Sequence, residues 1–275
     1  MTRNWLITGV NTGFGRHLTE QLLARGERVA GTVRRLDSVA DLTGKYGDAF
    51  HAALLDLTDT ARIREVVDAA HARFGRLDVV VSNAGYGLIG AAEELSDEQV
   101  RHQIDTNLLG SIQLIRAALP HLRAAGGGRI LQLSSMGGQA AWPGGSLYHA
   151  TKWGIEGFAE ALAGEVAPFG IGVTIVEPGG ARTEFRHGGV RLGARLDAYD
   201  VTPTAAVHRM VEDTTRLPVG DPARMATLMI ESVGQDPAPL RLALGSDAWT
   251  AMTGALEERL AALRPQRETA ASTDF

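Results

Sequence analysis

The segment that most restricts the possible folds of this chain is the glycine-rich stretch TGVNTGFG at residues 8–15. It overlaps the end of a short apolar run, NWLITG at 4–9, and passes directly into RHLTEQLLAR, which has a helical pattern. Glycines at 9, 13 and 15 allow a tight turn and let backbone N–H groups approach a phosphate closely. The spacing is Gly-x-x-x-Gly-x-Gly, not the Gly-x-Gly-x-x-Gly of the general dinucleotide fingerprint. We therefore predict a strand, a phosphate-binding turn and a helix, with a glycine turn that binds no ligand as the alternative.

Short apolar runs alternate with helical patterns along the rest of the chain. Helical stripes cover 63–74 and 100–122, and a last helix is predicted over 247–263. Ser96 and Gln99 form a capping-box pattern at the start of the longer stripe. Buried strands are predicted over 4–9, 28–33, 51–57, 77–83, 129–135, 172–178 and 240–245. This alternation predicts a doubly wound α/β fold, with a mostly parallel seven-stranded sheet and helices on both faces.

The chain is predicted to form one domain over 1–263, because it shows no internal repeat and no low-complexity linker. Residues 179–225 interrupt the strand–helix rhythm, since they are rich in Gly and Arg and have only patchy periodicity. Such a segment is typical of a mobile flap over a site, and we predict a substrate flap over 183–225. The polar segment 264–275 is predicted to be a flexible tail.

Composition excludes several classes of protein. Hydrophobic residues make up 44% and charged residues 21% of the chain, which argues against wholesale disorder. A formal net charge of −5 offers no general attraction to nucleic acid or to anionic membranes. The absence of cysteine rules out disulfides, thiolate catalysis and cysteine metal sites, and no metal site is expected. The sequence shows neither a signal-peptide pattern nor an apolar window of membrane-spanning length, so a cytoplasmic location is expected.

The stretch SLYHATKWG at 146–154 places a tyrosine and a lysine four residues apart. On a helix, Tyr148 and Lys152 lie on one face, and a cation beside a phenol makes the phenol easier to ionise. The pair is therefore a candidate proton donor, with a decorated surface helix as the alternative. His149 and Trp153 point to other faces of the same helix and are interpreted as structural.

The chain resembles the short-chain dehydrogenase/reductase family, because six of its motifs occur in that family's order and spacing. They are TGVNTGFG at 8–15, NAG at 83–85, Asn107, SS at 134–135, YHATK at 148–152 and PGGART at 178–183. The resemblance covers residue 3 to about residue 185, with a continuation to 263, and it is to the shorter, single-domain form of the family. It implies a Rossmann-type sheet and an NAD(P)-dependent dehydrogenase or carbonyl reductase.

The resemblance implies catalytic roles for four residues. Tyr148 would be the acid/base that exchanges a proton with the substrate oxygen, while a nicotinamide exchanges hydride with its carbon. Moving a phenol pKa from near 10 to about 7 needs roughly 4 kcal/mol, which Lys152 and the positive nicotinamide can supply. Ser135 would donate to the substrate oxygen, whereas its neighbour Ser134 would point to the other face of a strand. Asn107 would hold a water that links Lys152 to solvent; the alternative is that it satisfies a helix bend.

The same resemblance implies a nicotinamide dinucleotide site. Its residues would be Gly9, Asn11, Thr12, Gly13, Phe14, Gly15, Asp56, Leu57, Asn83, Ala84, Gly85, Tyr148, Lys152, Pro178, Gly179 and Thr183. Asp56 would contact the adenine amino group, and Lys152 the nicotinamide ribose. Arg34 and Arg35 stand where NAD-binding proteins usually carry an acidic residue, and a guanidinium suits a 2′-phosphate. NADP(H) is therefore preferred, and NAD(H) is possible if Asp37 reaches the ribose instead.

The predicted flap gives the main indication of substrate. It mixes apolar side chains with arginines, namely Phe185, Val190, Leu192, Leu196, Tyr199 and Val201 among Arg186, Arg191 and Arg195. This mixture favours a hydrophobic ketone, aldehyde or alcohol, and the chain resembles family members that act on steroids, retinoids or polyketide-like ketones. The arginines could instead meet an acidic substrate.

Two other function classes are compatible with the same motifs. One is a catalytically silent, NADP(H)-binding redox sensor that binds a partner protein, and the other is an isomerase or dehydratase that uses the nicotinamide transiently. The complete set of four catalytic residues argues against the sensor, and the chain length and glycine spacing argue against the isomerase or dehydratase. By resemblance, a homodimer or homotetramer is expected, paired through the long helix and the Tyr148 helix. No nucleic-acid motif is present.

Overall fold

The computed structural model describes residues 2–213, 215 and 217–275, apart from the side chains of Arg186 and His187. Seven parallel strands form the central sheet, in the spatial order β3-β2-β1-β4-β6-β7-β9. The strands are β1 Asn4–Thr8, β2 Arg28–Val33, β3 Phe50–Leu54, β4 Val79–Ser82, β5 Gly87–Ile89, β6 Gly128–Leu133, β7 Ile171–Pro178, β8 Val190–Leu192 and β9 Arg241–Leu244. The predicted doubly wound, seven-stranded parallel sheet is confirmed.

Helices connect the strands and cover both faces of the sheet. They are α1 Gly13–Ala24, α2 Ala40–Tyr46, α3 Thr60–Phe74, α4 Asp97–Ile104, α5 Gly110–Ala124, α6 Ser146–Val166, α7 Phe185–Gly188, α8 Pro203–Glu212, α9 Pro222–Ser232, α10 Ser246–Leu263 and α11 Arg267–Ala271. The two short strands β5 and β8 form a separate parallel pair. Three-residue strands carry too little periodicity to be predicted from sequence, and this pair was not expected.

The alternation of side chains along β1 explains why the sheet has an apolar core on each of its two faces. Trp5 and Ile7 belong to one apolar core, which α1, α2 and α9 cover. Leu6 belongs to the other core, which α3, α5 and α6 cover. Because successive side chains of a strand point to opposite faces, a strand that is apolar throughout must be covered on both sides.

The strand order brings the predicted site residues to one edge. Since all seven strands run parallel, their carboxyl ends lie along the same edge of the sheet. The chain order reverses between β1 and β4, where connections leave toward opposite faces of the sheet. Ligands of open α/β sheets bind at such a switch point, beyond the carboxyl ends of the strands.

The predicted long helix forms with an interruption. Ser96 and Gln99 make the predicted capping box, with the Gln99 N–H 3.2 Å from the Ser96 Oγ and the Ser96 N–H 3.0 Å from the Gln99 Oε1. The helical path then contains a π turn, Asp105–Leu109, between α4 and α5. The third strand ends at Leu54, not at 57, so Asp56 and Leu57 lie in the loop that follows it.

The bounds of the flap and the tail differ from the prediction. Residues 222–225 belong to α9, which packs on α1, with Met225 in the sheet core. The flap therefore comprises residues 183–221, of which Thr214 and Arg216 lie outside the described residues. The tail over 264–275 is helical through Ala271, and its side chains are exposed.

Membrane-spanning helices and clusters of metal-ligating side chains are both absent from the part of the chain that the structure describes. No helix there is both long enough and apolar enough to cross a bilayer. In the same part of the chain, no three His, Asp or Glu side chains come together in a group that could hold a metal ion.

Candidate active site

The turn between β1 and α1 is so closely packed that two of its positions require glycine. Gly9 has a φ of +73°, in the left-handed region that favours glycine. A Cβ atom on Gly15 would lie 2.1 Å from the carbonyl oxygen of Gly9, so backbone packs directly on backbone. Thr12, the N-cap of α1, makes no side-chain capping hydrogen bond within the described residues. The first N–H groups of α1 can therefore bind an anion such as a phosphate.

The other predicted residues of this turn surround the same N-terminus. Asn11 and Thr12 are exposed, and Phe14 is partly buried against the sheet core. Thr183 lies across the turn, since a Cβ atom on Gly13 would be 3.6 Å from the Thr183 Cβ. The structure thus brings the first glycine turn and the segment after β7 to opposite sides of one cleft.

The loop after β4 is fastened to the end of β1. The Thr8 Oγ1 accepts the N–H groups of Asn83 and Ala84, at 2.9 and 3.0 Å. The Asn83 Nδ2 donates to the carbonyl of Thr8 at 2.7 Å. Because the Asn83 side chain is used in this way, the backbone of Ala84 and Gly85 is the part of the loop that can face a ligand.

Asn107 is buried in the π turn and holds the same loop from the other side. Its Oδ1 accepts the N–H of Tyr86 at 3.0 Å, and its Nδ2 donates to the carbonyl of Tyr86 at 2.8 Å. The side chain thus bonds to the neighbouring loop, not to the backbone of its own helix. Gln103 donates to the same Tyr86 carbonyl at 3.1 Å. Asn107 therefore positions the loop, and its water-relay role stays a prediction.

Tyr148, Lys152 and Ser135 meet at the start of α6. The Lys152 Nζ lies 5.8 Å from the centre of the Tyr148 ring and donates to the carbonyl of Leu133 at 2.9 Å. The Ser135 side chain lies near the Tyr148 phenol and acts to lower its pKa. Ser134 points away and donates to the buried carboxylate of Glu156. Of the two serines, the structure places Ser135 beside the tyrosine, as the spacing predicts.

Burial is the main influence on the proton affinities of the pair. It raises the pKa of Tyr148, and the nearby Ser135 side chain offsets part of that rise. Burial lowers the pKa of Lys152 to about 8, and the nearby Glu156 carboxylate opposes this fall. In the protein alone, desolvation of the phenol is the larger effect, and the expected lowering of its pKa by Lys152 stays a prediction. The positive nicotinamide is the other contribution that the sequence suggested.

His149 holds the loop that carries Ser135. It is 4% exposed, its Nδ1 lies 2.8 Å from the carbonyl of Gly137, and its Nε2 accepts the N–H of Trp142 at 3.3 Å. Burial lowers the pKa of His149, so the neutral ring donates from Nδ1 and accepts at Nε2. Its structural interpretation agrees with these contacts, although the residue supports the catalytic loop directly.

After β2, the two adjacent arginines are not equivalent. Arg35 pairs with Asp37, whose carboxylate also accepts from the Arg35 Nε at 3.1 Å, so Asp37 is turned toward the arginine. Arg34 is exposed, pairs with no carboxylate among the described residues and exerts a favourable charge effect on Asp56. Hydrogen bonds from Thr58, chiefly from its backbone, lower the pKa of Asp56. Arg34 is thus the arginine available to a phosphate. Leu57 is buried beside this loop.

The loop after β7 is held by Asp247, which the sequence did not indicate. The Asp247 Oδ2 accepts the N–H of Gly180 at 2.7 Å, and a Cβ atom on Gly179 would lie 2.1 Å from the Asp247 Oδ1. Gly179 donates to the carbonyl of Leu244 at 2.8 Å. Because Asp247 is remote from Pro178 and Gly179 in sequence, no local pattern could have identified it.

Two other residues that support the site, and that were not singled out from the sequence, lie close in sequence to the predicted motifs. Thr8 is the first residue of the glycine-rich motif itself. Glu156 follows Lys152 by four residues, which is the spacing that singled out Tyr148 and Lys152. The helical rule that predicted the first pair therefore also reaches Glu156.

The flap lies beside two parts of the predicted site, Tyr148 and the loop that carries Tyr86. The ring centres of Phe185 and Tyr148 are 6.4 Å apart, and the Arg191 guanidinium lies 4.8 Å from the centre of the Tyr86 ring. The strand β8 pairs with β5, which follows the Asn83–Ala84–Gly85 loop. The side chain of Arg186, one of the three predicted flap arginines, lies outside the described residues.

Comparisons with known proteins agree with this geometry. A family model described as short chain dehydrogenase matches residues 3–190. The chain is 35% identical over 249 residues to "Oxidoreductase BOA17" of Botryotinia fuckeliana, covering 90% of each chain.

Solved structures extend the similarity to almost the whole fold. A short-chain dehydrogenase from Streptomyces avermitilis matches with a TM-score of 0.93 and 39% identity, over 99% of this chain and 98% of that one. An alcohol dehydrogenase from Thermococcus sibiricus, complexed with 5-hydroxy-NADP, matches with a TM-score of 0.72 and 25% identity, over 89% of this chain and 96% of that one.

Proposed function

The chain belongs to the short-chain dehydrogenase family of oxidoreductases, and on that premise we propose that it interconverts a hydrophobic ketone or aldehyde and the corresponding alcohol with NADP(H). The observation that carries the proposal is the meeting of Tyr148, Ser135 and Lys152 at the carboxyl end of β6, on the sheet edge that also carries the β1–α1 turn. A phenol, a hydroxyl and an ammonium are the groups that proton exchange with a carbonyl oxygen needs.

The residues at the cleft fit a nicotinamide dinucleotide. Gly15 packs closely on Gly9, and Thr12 does not cap the first backbone N–H groups of α1, so those groups are available to a pyrophosphate. Asp56 and Arg34 lie at the adenine end, and the loop at Pro178 and Gly179 lies at the other. When bound, the cofactor supplies or accepts the hydride.

The protein's own groups would handle the proton and the charge. In the reducing direction, the Ser135 hydroxyl donates a hydrogen bond to the substrate oxygen, where negative charge develops. Tyr148 transfers its phenolic proton to that oxygen. The ammonium of Lys152 then stabilises the phenolate that remains. In the oxidising direction, the phenolate accepts the proton of the alcohol.

The preference for NADP(H) rests on Arg34. A guanidinium with no carboxylate partner among the described residues can bind a 2′-phosphate with two donors, whereas Arg35 is already paired with Asp37. The solved alcohol dehydrogenase with a bound NADP derivative supports this choice.

The hydrophobic substrate rests on the flap. Phe185 is 42% exposed and faces the Tyr148 ring, and Leu192 and Leu196 are exposed on the same segment. Exposed apolar side chains beside a polar reacting centre favour a substrate with a large apolar body. The pairing of two or four chains and the cytoplasmic location stay predictions.

The test combines binding and turnover. Fluorescence titration with NADPH and NADH, followed by a panel of steroid, aliphatic and acidic ketones, gives the cofactor and the substrate class. Tyr148→Phe should reduce kcat by about 10²- to 10⁴-fold, because the proton donor is lost, and should leave NADPH affinity nearly unchanged. Tyr46→Phe is the matched control, since Tyr46 also lies beside a lysine, with the Lys45 Nζ 4.9 Å from its ring centre.

The outcomes separate the proposal from its alternatives. Normal turnover by Tyr148→Phe would overturn the mechanism. Tight NADPH binding with no turnover of any ketone would favour the redox sensor. If NADH bound more tightly than NADPH, the cofactor preference would be overturned. If the protein bound neither nucleotide, the assignment as an enzyme would be overturned.

A further inference from the structure

A network of buried charges lies directly behind the catalytic lysine. Glu156, one helical turn after Lys152 on α6, is 2% exposed, and Glu177, the penultimate residue of β7, is also 2% exposed. Lys152 itself is 8% exposed. Buried carboxylates and ammonium groups are costly unless they are paired and hydrogen-bonded, so a cluster of three demands an explanation.

Three donors fix the Glu156 carboxylate. The Ser134 hydroxyl donates to Oε1, and the Gln139 side-chain amide donates to Oε2. The Arg241 Nη1, from β9, lies 2.6 Å from the same Oε2. Each of the three comes from a different segment, so the carboxylate is held in one position beneath the site.

Arg241 is shared among three carboxylates. Besides Glu156, it binds Glu177 through Nη1 and Glu160 through Nη2, each at 2.5 Å. Burial and the Glu156 charge raise the pKa of Glu177 to about 7, although Arg241 opposes this rise. One arginine therefore cannot neutralise all three carboxylates, and the second cation of the cluster is Lys152.

The charge on Lys152 depends on this excess of carboxylates over the single arginine. The ionisable groups that face it are Tyr148 and Glu156 on its own helix, with Glu177 on β7 and Arg241 on β9 next to Glu156. Its Nζ hydrogen bond is to a neutral carbonyl, that of Leu133. Among these groups, Glu156 is the one whose charge counteracts the desolvation of the ammonium.

We propose that Glu156 is a positioning residue for the reaction, whose buried and triply hydrogen-bonded carboxylate keeps the proton on Lys152. This inference rests on the proposed function for its catalytic meaning. A protonated Lys152 stabilises the Tyr148 phenolate, whereas a neutral lysine does not. Glu156 thereby sets the pH above which the tyrosine–lysine pair loses its working protonation state.

The chain offers an unusually direct measurement. It contains two lysines, Lys45 and Lys152, so a protein labelled with ¹³C at the lysine Cε gives two resonances. Lys45 is exposed and serves as the internal reference. Glu156→Gln should lower the pKa of Lys152 by about one unit or more from its wild-type value, because an opposite charge at this range shifts a pKa by about that much. The Lys45 titration should not move.

Two controls separate charge from structure. Glu160→Gln removes another carboxylate from Arg241, but Glu160 is 56% exposed and should leave the Lys152 pKa unchanged. Glu156→Asp keeps the charge and should restore most of the wild-type pKa. If Glu156→Gln does not fold, the triple variant Glu156→Leu, Glu177→Gln and Arg241→Met removes the ion pairs without leaving a buried carboxylate unpaired, a kind of replacement that buried pairs often tolerate. It should lower the Lys152 pKa in the same direction.

The activity readout follows the same sign. For ketone reduction with NADPH, both Tyr148 and Lys152 must carry their protons, so the alkaline limb of kcat/KM should move down in pH by the amount that the resonance moves. A Lys152 pKa that is unchanged in Glu156→Gln, or equally lowered in Glu160→Gln, would overturn the inference. Because the titration needs no turnover, this result leaves the proposed function standing, whereas an active Tyr148→Phe variant removes the proposed function and leaves the titration result intact.

Discussion

The floor of the cleft and the flap above it are held by different kinds of contact. The floor, formed by the β1–α1 turn and the loop 83–86, is tied by Thr8, Asn83 and Asn107 to backbone atoms of neighbouring segments. The flap, residues 183–221, exposes much of its apolar surface, with Val201 at 94% and Val219 at 67%. The floor is therefore held by several hydrogen bonds to the backbone, whereas the flap is held by a few contacts, which we call its anchors.

A buried hydrogen bond between Glu94 and His208 anchors the flap. Glu94 and His208 are each 2% exposed at the side chain, and the His208 Nε2 lies 3.1 Å from the Glu94 Oε2. The Glu94 carboxylate also accepts the N–H of Leu196 at 3.0 Å and that of Ala91 at 2.7 Å. The flap strand β8 adds a three-residue pairing with β5. One carboxylate thus joins the flap helix α8, the flap loop and the floor-side loop.

The comparison teaches where each part of the proposed reaction is placed. Proton transfer needs groups fixed to within a fraction of an ångström, and such groups lie on packed elements. Substrate choice can tolerate a segment that opens and closes, and such a segment has few buried contacts. We expect substitutions in the floor to change both the affinity for the cofactor and the free energy of unfolding. We expect substitutions in the flap to change the KM for the substrate alone.

The largest effect is expected in the floor. Gly15→Ala forces a Cβ atom against the Gly9 carbonyl, so the turn must shift or the chain must unfold. We expect a loss of about 3 kcal/mol or more in the free energy of unfolding, comparable to severe overpacking, and no measurable NADPH binding. Urea unfolding and fluorescence titration measure the two effects. The matched control is Gly44→Ala in α2, where a Cβ atom meets nothing within 4 Å and helix propensity should raise stability slightly.

A smaller effect is expected in the flap. Glu94→Gln removes the carboxylate that His208 contacts but keeps the shape, which should weaken the anchor by about 1–3 kcal/mol. Trypsin should then cut faster after Arg191 or Arg195, and the KM for the substrate should rise by about tenfold, with NADPH affinity unchanged. Glu212→Gln is the control, because Glu212 forms an exposed pair with Arg195 at 3.8 Å. A parallel loss of NADPH affinity would show that the flap and the floor are not separate.

The smallest effect concerns two adjacent arginines at the rim of the floor. Arg34→Ala should reduce the preference for NADPH over NADH by about tenfold or more, because the charge-assisted hydrogen bonds of the guanidinium to the 2′-phosphate are lost. Arg35→Ala should change the preference little, because Arg35 is already paired with Asp37. Fluorescence titration of both nucleotides into both variants gives the ratio. An equal loss in the two variants would mean that Arg35 leaves Asp37 to bind the phosphate.

Much of the site could be predicted because its residues are close in sequence to the elements that place them. Tyr148 and Lys152 share one helix, Ser135 follows one strand, and Gly9 to Gly15 form one turn. Helical spacing and strand ends are local properties, so the sequence predicts the geometry of such groups well. The predicted ends of some elements were wrong. The third strand ends at Leu54 and not at residue 57, and α9 includes residues 222–225, which were predicted to belong to the flap.

The resemblance of six motifs to a known family identified the catalytic candidates, and the sequence by itself determined the fold class. Apolar periodicity and glycine placement are sufficient for that, because they restrict the backbone directly. The tertiary structure alone decided which neighbours act on those candidates. It half-buried Tyr148 and buried Lys152, so that desolvation is the largest influence on their pKa values. It also paired Arg35 with Asp37 and brought Asp247, Arg241 and His208 to partners far away in sequence. Electrostatic energies depend on distance and burial in space, which no pattern along the chain specifies.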